Sequence, residues 1–185
     1  MKNKERIELA LKSTERAGMK DLLEWMDQNG FYSAPCSTKY HLSKAGGLAE
    51  HSINVFEAAL DMGTSLYSDQ MTFAMLDSIT ICALLHDIGK VGQFGKANYI
   101  QNTDPGDPAP YHTNKELLFV PHEIRSIAIL SKFIDLTEEE QFAILHHNGL
   151  YSDLSKSLMG KETPLQMIIH TADMWASRIT EKEEK

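Results

Sequence analysis

The sequence has little of what marks a secreted or membrane-spanning protein. It holds 2 cysteines in 185 residues, too few for a disulfide framework, and Cys82 lies in an apolar run where we expect a small buried side chain. The charged stretch after Met1 lacks the apolar core of a signal peptide. No apolar run approaches the roughly 20 residues that a membrane span needs. We therefore expect a cytoplasmic protein.

Positive charge is also scarce, with 18 Lys and Arg against 26 Asp and Glu and a formal net charge of −8. Such a chain is poorly suited to hold duplex nucleic acid through its phosphates. A local basic pocket for one nucleotide is still compatible with this balance, and bound divalent cations would offset part of it. We predict neither duplex nucleic acid nor a membrane as a partner. The oligomeric state cannot be read from the sequence.

Strand-like alternation and internal repeats do not stand out in the sequence. Hydrophobic residues make up 42% of the chain and charged residues 24%, as in an ordinary globular protein. We predict an all-α fold, a single-domain helical bundle. Residues 1–30 would form a helical cap on that domain, residues 31–180 the domain itself, and residues 181–185 a fraying charged tail.

Helical periodicity and cap signals define the expected elements. Gly46 and Gly47 would turn the chain into the helix that carries His51, and Thr137 with Glu140 forms a capping box. Loops are expected at residues 91–119, as a lid, a binding loop or a disordered segment, and at 150–163. The expected helices cover residues 4–17, 19–29, 71–86, 121–133, 138–148 and 165–179, together with the one that carries His51 and ends near residue 66.

A histidine and an aspartate stand side by side at His86–Asp87, after a mainly apolar run. Such side chains are rarely buried unless they are paired or bind a metal. Neighbouring residues on a helix point about 100° apart, so two adjacent side chains in the middle of a helix cannot easily coordinate the same ion. At a helix end both can reach one ion, or the carboxylate can bridge two ions. We expect Gly89 to end the helix and Lys90 to bring a cation to the rim of the site.

Further histidines and an aspartate accompany this pair. In chain order the series is His51, His86–Asp87, His122, His146–His147 and Asp173. His170 lies three residues before Asp173 and shares its helical face. His41 and His170 are each either surface residues or partners of the site, and both alternatives stay open.

This order, H…HD…H…HH…D, resembles the HD-domain phosphohydrolase superfamily. The flanking sequences are similar too: GGLxxHS at 46–52, HDxGK at 86–90 and a late AD at 172–173. The resemblance implies one divalent metal held by His51, His86, Asp87 and Asp173. It implies a second metal held by His122 and His147 with Asp87 as a bridge. Family patterns favour His147 over His146, which is then a further ligand, a partner of a ligand, or exposed.

Imidazole and carboxylate ligands without thiolate suit one or two Fe, Mn, Co, Ni, Mg or Zn ions. Asp87 and Lys90 are the predicted catalytic residues, with Lys90 neutralising a phosphate oxygen of the substrate. Lys96, Tyr99 and Tyr111 are candidates for binding a base or phosphate, the alternative for each being a solvated loop residue. The predicted partner is a small phosphorylated substrate, most simply a nucleotide.

The chain departs from the branch of this superfamily that cleaves cyclic dinucleotides. Residues Asn148–Tyr151 do not match the signature of that branch, and Gly47 stands where that branch has a glutamate ligand. It looks more like small stand-alone HD proteins of bacteria and phages, and like the HD module of some exonucleases. We predict hydrolysis of a nucleotide or another small phosphomonoester or phosphodiester. The alternatives are a dinuclear iron oxygenase on the same fold and a non-catalytic nucleotide-binding regulatory module.

Overall fold

The computed structural model describes residues 2–182, and helices form its body. The α-helices are α1 (Asn3–Ser13), α2 (Met19–Gln28), α3 (Gly47–Tyr67), α4 (Phe73–Leu85), α5 (His122–Leu130), α6 (Glu138–Leu145), α7 (Ser155–Leu158) and α8 (Pro164–Trp175). The strands are β1 (Gly92–Gln93), β2 (Lys96–Ala97), β3 (Tyr99–Gln101) and β4 (Tyr111–Thr113). The prediction of an all-α fold is confirmed. None of the helices within residues 2–182 is both long and apolar enough to cross a membrane.

Helix α4 lies at the centre of the bundle. All residues from Ile79 to Leu85 are buried, as expected for a helix that is apolar on every side. It packs against α1, α3, α6 and α8, and α3 packs in turn against α1 and α8. Cys82 is fully buried in this core, as predicted. The helices that carry the predicted ligands are therefore held against one another by apolar packing.

The N-terminal helices belong to the same core. Ile7 and Leu11 of α1 and Met26 of α2 are fully buried. The connection between these helices is tied to α6 because Arg16 donates to both carboxylate oxygens of Glu140, over 2.9 and 2.8 Å. Glu140 also accepts from the Thr137 amide, which completes the predicted capping box.

Residues 91–119, predicted to be a loop, contain two small hairpins instead. Strands β1 and β2 pair antiparallel, as do β3 and β4. Each strand has only 2 or 3 residues, too short to show the alternation that predicts a strand. The predicted loop at 150–163 likewise contains the short helix α7. Most of both segments is turn or irregular structure, as predicted. The short elements were missed because local hydrogen bonding, without a periodic apolar face, forms them.

Two glycine predictions had different outcomes. Gly46 has a φ of +75° and precedes α3, in agreement with the predicted sharp turn. Helix α4 ends at Leu85, so His86 and Asp87 do lie at a helix end, but Gly89 does not end it. A Cβ on Gly89 would lie 2.2 Å from the carbonyl oxygen of His122. Gly89 therefore allows close approach of the His86–Asp87 segment to α5.

The predicted fraying tail, residues 181–185, begins with a residue that is not exposed. A π-helical segment (Ala176–Thr180) follows α8, and the side chain of Glu181 after it is buried. Residues 183–185 of the predicted tail lie outside the described residues. A charged terminal sequence normally indicates solvent exposure, so sequence reasoning could not place Glu181 inside the protein.

Candidate metal centre

Side chains from five parts of the chain converge beside the end of α4. His51 comes from α3, His86 and Asp87 follow α4, His122 opens α5, His147 follows α6, and Asp173 lies on α8. Their histidine nitrogens and carboxylate oxygens form overlapping groups in which all ligand atoms lie within 4.8 Å of one another. The structure thus brings together every predicted metal ligand except His146.

Asp87 lies at the middle of this cluster and has a separate pair of histidines at each carboxylate oxygen. Its Oδ2 lies 3.6 Å from Nε2 of His51 and 3.4 Å from Nε2 of His86. Its Oδ1 lies 3.2 Å from Nε2 of His122 and 3.5 Å from Nε2 of His147. Asp173 joins the first pair, since its Oδ1 lies 3.2 Å from Nε2 of His51. We name these sets the His51 group (His51, His86, Asp87, Asp173) and the His122 group (Asp87, His122, His147).

Local structure sets the direction of the buried histidines. Nδ1 of His86 bonds to the Ala83 carbonyl over 2.9 Å, and Nδ1 of His147 bonds to the Ile144 carbonyl over 2.7 Å. Both carbonyls lie near the end of a helix, where they have no partner within the helix. Because a carbonyl only accepts, each Nδ1 carries the proton and each Nε2 presents its lone pair to the cluster.

Several of these inward atoms have no hydrogen-bond partner within residues 2–182. They are Nε2 of His51, Nε2 of His86 and Oδ1 of Asp87, and all are buried. Unpaired buried polar atoms are costly and rare. Unpaired, inward-facing acceptors of this kind are what cations would satisfy, and nitrogen with carboxylate ligands suits a divalent transition metal or Mg²⁺. The residues therefore fit a metal, and with Asp87 shared they fit two.

Lys90 contacts the same aspartate, with Nζ 2.6 Å from Oδ2 of Asp87. Burial alone would raise the pKa of the Asp87 carboxyl, but Lys90 and His86 hold it well below its usual range. Burial alone would lower the pKa of Lys90, whereas Asp87 raises it well above its usual range. The ion pair is therefore charged on both sides at neutral pH.

The residues predicted to bind substrate are not all near the cluster. Tyr99 lines a cavity of about 850 Å³ that also includes His122 and Arg125. Lys96 and Tyr111 do not line this cavity, and Lys96 is exposed, with Nζ 3.5 Å from Glu116. His146 lies apart from the metal groups, and its ring packs on Phe142 with 4.6 Å between centroids.

Supporting residues surround the cluster, and sequence reasoning left two of them open. His41 contacts Glu181, and Nδ1 of His170 bonds to the His147 carbonyl over 2.7 Å. Asn148 was not predicted to have a role. Its amide donates to Glu123 over 2.7 Å and lies 3.2 Å from Nε2 of His147. Its position directly after the histidine pair was the only available signal.

Glu181 was also missed, although it contacts a predicted ligand directly. Nδ1 of His51 lies 2.9 Å from Oε1 and 3.2 Å from Oε2 of Glu181. Burial alone would raise the pKa of Glu181, but hydrogen bonds from His41 and His51 lower it to about 2. An ionised carboxylate therefore supports the histidine from the side opposite to the metal ligands.

Comparison with known proteins agrees with this arrangement. No curated protein and no solved structure matches the chain. The family model for the HD domain matches residues 48–176, a span that runs from the start of α3 to just past α8 and contains every residue of both groups. The family model covers more than half of the chain, and the structure brings the histidines and aspartates together at one centre. This chain therefore belongs to the HD domain family.

Proposed function

We propose that this protein is a metal-dependent phosphohydrolase that acts on a nucleotide or another small phosphoester. The observation that carries the proposal is the Asp87 carboxylate, each oxygen of which faces its own pair of histidine Nε2 atoms. Members of the HD domain family are mostly metal-dependent phosphohydrolases. The His51 group would hold one divalent cation and the His122 group a second. Such cations supply Lewis-acid activation of water and neutralisation of phosphate charge.

Exposure of the ligands defines the side from which a substrate approaches. The side chains of His51 and His86 are 0% exposed, and that of His147 only 1%. By contrast, those of His122, Asp173 and Lys90 are 28%, 16% and 14% exposed. The buried residues exclude water from the inner side, whereas Lys90 can present its ammonium to a phosphate oxygen. Positioning and charge neutralisation of this kind are the main demands of phosphoryl transfer.

The cavity next to His122 supports a small anionic substrate. Its volume of about 850 Å³ falls in the range of small-molecule sites. Arg125 lies in its wall and is only 3% exposed. The guanidinium donates to the Asn98 amide oxygen over 2.8 Å and to the Leu118 carbonyl over 3.3 Å. No carboxylate within residues 2–182 pairs with Arg125, so its buried charge favours an anion beside it. The lining also includes Asp104 and Glu116, so this attraction is local to Arg125.

Metal analysis together with a substrate panel tests the proposal. The protein is purified without added metal, analysed for bound metals, and assayed for phosphate release from nucleotides with Mn²⁺, Fe²⁺, Co²⁺, Ni²⁺ or Mg²⁺. We expect one or two metals per chain and release from at least one nucleotide. Bound metal without release under every condition would contradict the proposal. Oxygen uptake by the iron-loaded protein would then favour an oxygenase, and nucleotide binding without turnover a regulatory module.

A further inference from the structure

His51 is held between two carboxylates that come from one segment of the chain. Asp173 contacts Nε2 over 3.2 Å, on the side of the metal ligands. Glu181 contacts Nδ1 over 2.9 Å, on the opposite side of the ring. The other buried histidines, His86 and His147, use main-chain carbonyls at the corresponding Nδ1 position. Among the three fully buried histidines, His51 thus differs in having a full negative charge at Nδ1. The more exposed His122 also has a carboxylate near Nδ1, that of its chain neighbour Glu123 at 3.4 Å.

The π-helical segment explains how both carboxylates reach one ring. Asp173 and Glu181 are eight residues apart, and in a regular α-helix of about 3.6 residues per turn they would point about 80° apart. The amide of Glu181 instead bonds to the carbonyl of Ala176, five residues back, over 2.9 Å. A π-turn adds one residue to a helical turn. The eight-residue spacing therefore covers about two turns and brings Glu181 to the side of Asp173.

The carboxylate of Glu181 is buried and makes its contacts at His51 and beside it. Its side chain is only 1% exposed. Asn54 of α3 donates to Oε1 over 3.0 Å, and His41 contacts Oε2. No Lys or Arg within residues 2–182 pairs with it. The groups that keep this buried carboxylate ionised are therefore His41, His51 and Asn54, so its charge acts at His51.

We propose that Glu181 is a positioning residue for the metal site of the His51 group. Its carboxylate keeps the proton of His51 on Nδ1, fixes the orientation of the ring, and strengthens Nε2 as a metal ligand. Partners of this kind change metal affinity by about 10- to 100-fold when removed. The inference rests on the metal centre of the proposed function, but not on the identity of the substrate.

Glu181→Gln tests the inference, because the amide oxygen can still accept from Nδ1 while the charge is lost. Calorimetric titration of the metal-free protein with Mn²⁺ should show a loss of affinity of about 10- to 100-fold at one site. With Co²⁺, the visible absorption spectrum of that site should also change. Glu140→Gln is the matched control, since it neutralises another buried carboxylate that makes no contact with the cluster. That control should bind Mn²⁺ as the parent protein does.

The inference is overturned if the Glu181→Gln protein folds and its Mn²⁺ affinity is within about twofold of the parent, because a loss of about 10- to 100-fold is expected. If the variant does not fold, nitrogen NMR of His51 in the Zn²⁺-loaded parent decides, with the signal assigned through its loss in His51→Gln. A proton on Nε2 instead of Nδ1 would exclude the proposed role. Weakened Mn²⁺ binding supports the inference even if no phosphoester is hydrolysed. Hydrolysis by the parent with unchanged affinity in the variant overturns the inference alone.

Discussion

The two metal groups share Asp87 but differ in their surroundings. In the His51 group, both histidines are fully buried, and the Nδ1 atom of His51 is supported by the carboxylate of Glu181. In the His122 group, the side chain of His122 is 28% exposed and borders the cavity. An amide, that of Asn148, lies next to its histidines. On the proposed function, this difference predicts that a cation in the His51 group is held tightly and that one in the His122 group exchanges more readily.

Asp87→Ala would remove the ligand that both groups share. We expect loss of metal from both groups and loss of phosphate release to background, because each group loses a carboxylate oxygen. Metal analysis after purification checks this, with circular dichroism to confirm helical structure. Full metal content in the variant would contradict the role of Asp87 as a bridge.

Single histidine variants would measure the difference in metal affinity between the two groups. His51→Ala should lower metal affinity in the more buried group and leave at most one weakly bound cation. His122→Ala should leave the His51 group intact, so that about one cation per chain stays bound. Metal content after dialysis against buffer measures both. Equal losses in the two variants would mean that the groups do not differ in the way that their burial indicates.

Lys90→Ala would separate substrate handling from metal binding. Lys90 pairs with Asp87 but is partly exposed, so we expect unchanged metal content and a fall in kcat/KM of about 10-fold or more, equal to about 1.4 kcal/mol. Lys96→Ala is the matched control, because this lysine is exposed and does not line the cavity. An unchanged kcat/KM in Lys90→Ala would remove Lys90 from the mechanism.

Glu140→Ala would test stability away from the metal centre. It leaves Arg16 without its partner and should cost about 3 kcal/mol, measured by urea unfolding, with metal affinity unchanged. Burial raises the pKa of Glu140, but hydrogen bonds from Arg16, Thr137 and Ser78 lower it below its ordinary value overall. The pair therefore stabilises the fold above the unfolded pKa of about 4.3, and this stability is lost as the pH falls through the lower folded pKa. The difference between parent and variant should shrink below pH 4.3 or so.

Much of the centre could be predicted because its signals are local. The apolar run before His86 predicts a buried helix, and the helix end places His86 and Asp87 where both can face a cation. The Thr137–Glu140 capping box was also readable, since its bonds lie within one turn. Gly89 shows the limit of such reasoning. A glycine after a helix indicates a helix end, but its role depends on the His122 carbonyl, which is distant in sequence.

The sequence by itself determined the helical class, the identities of the clustered histidines and aspartates, and the positive charge of Lys90 close to them. The helical class follows from periodicity, whereas the set of histidines and aspartates follows from the resemblance of their order and flanking sequences to the HD-domain superfamily. Only the tertiary structure decided that Asp87 divides its oxygens between two histidine pairs and that His146 points away. It alone placed Glu181 behind His51, because the π-turn shifts the side of the helix that Glu181 occupies. Contacts between residues far apart in the chain depend on how helices pack, and no local pattern records that packing.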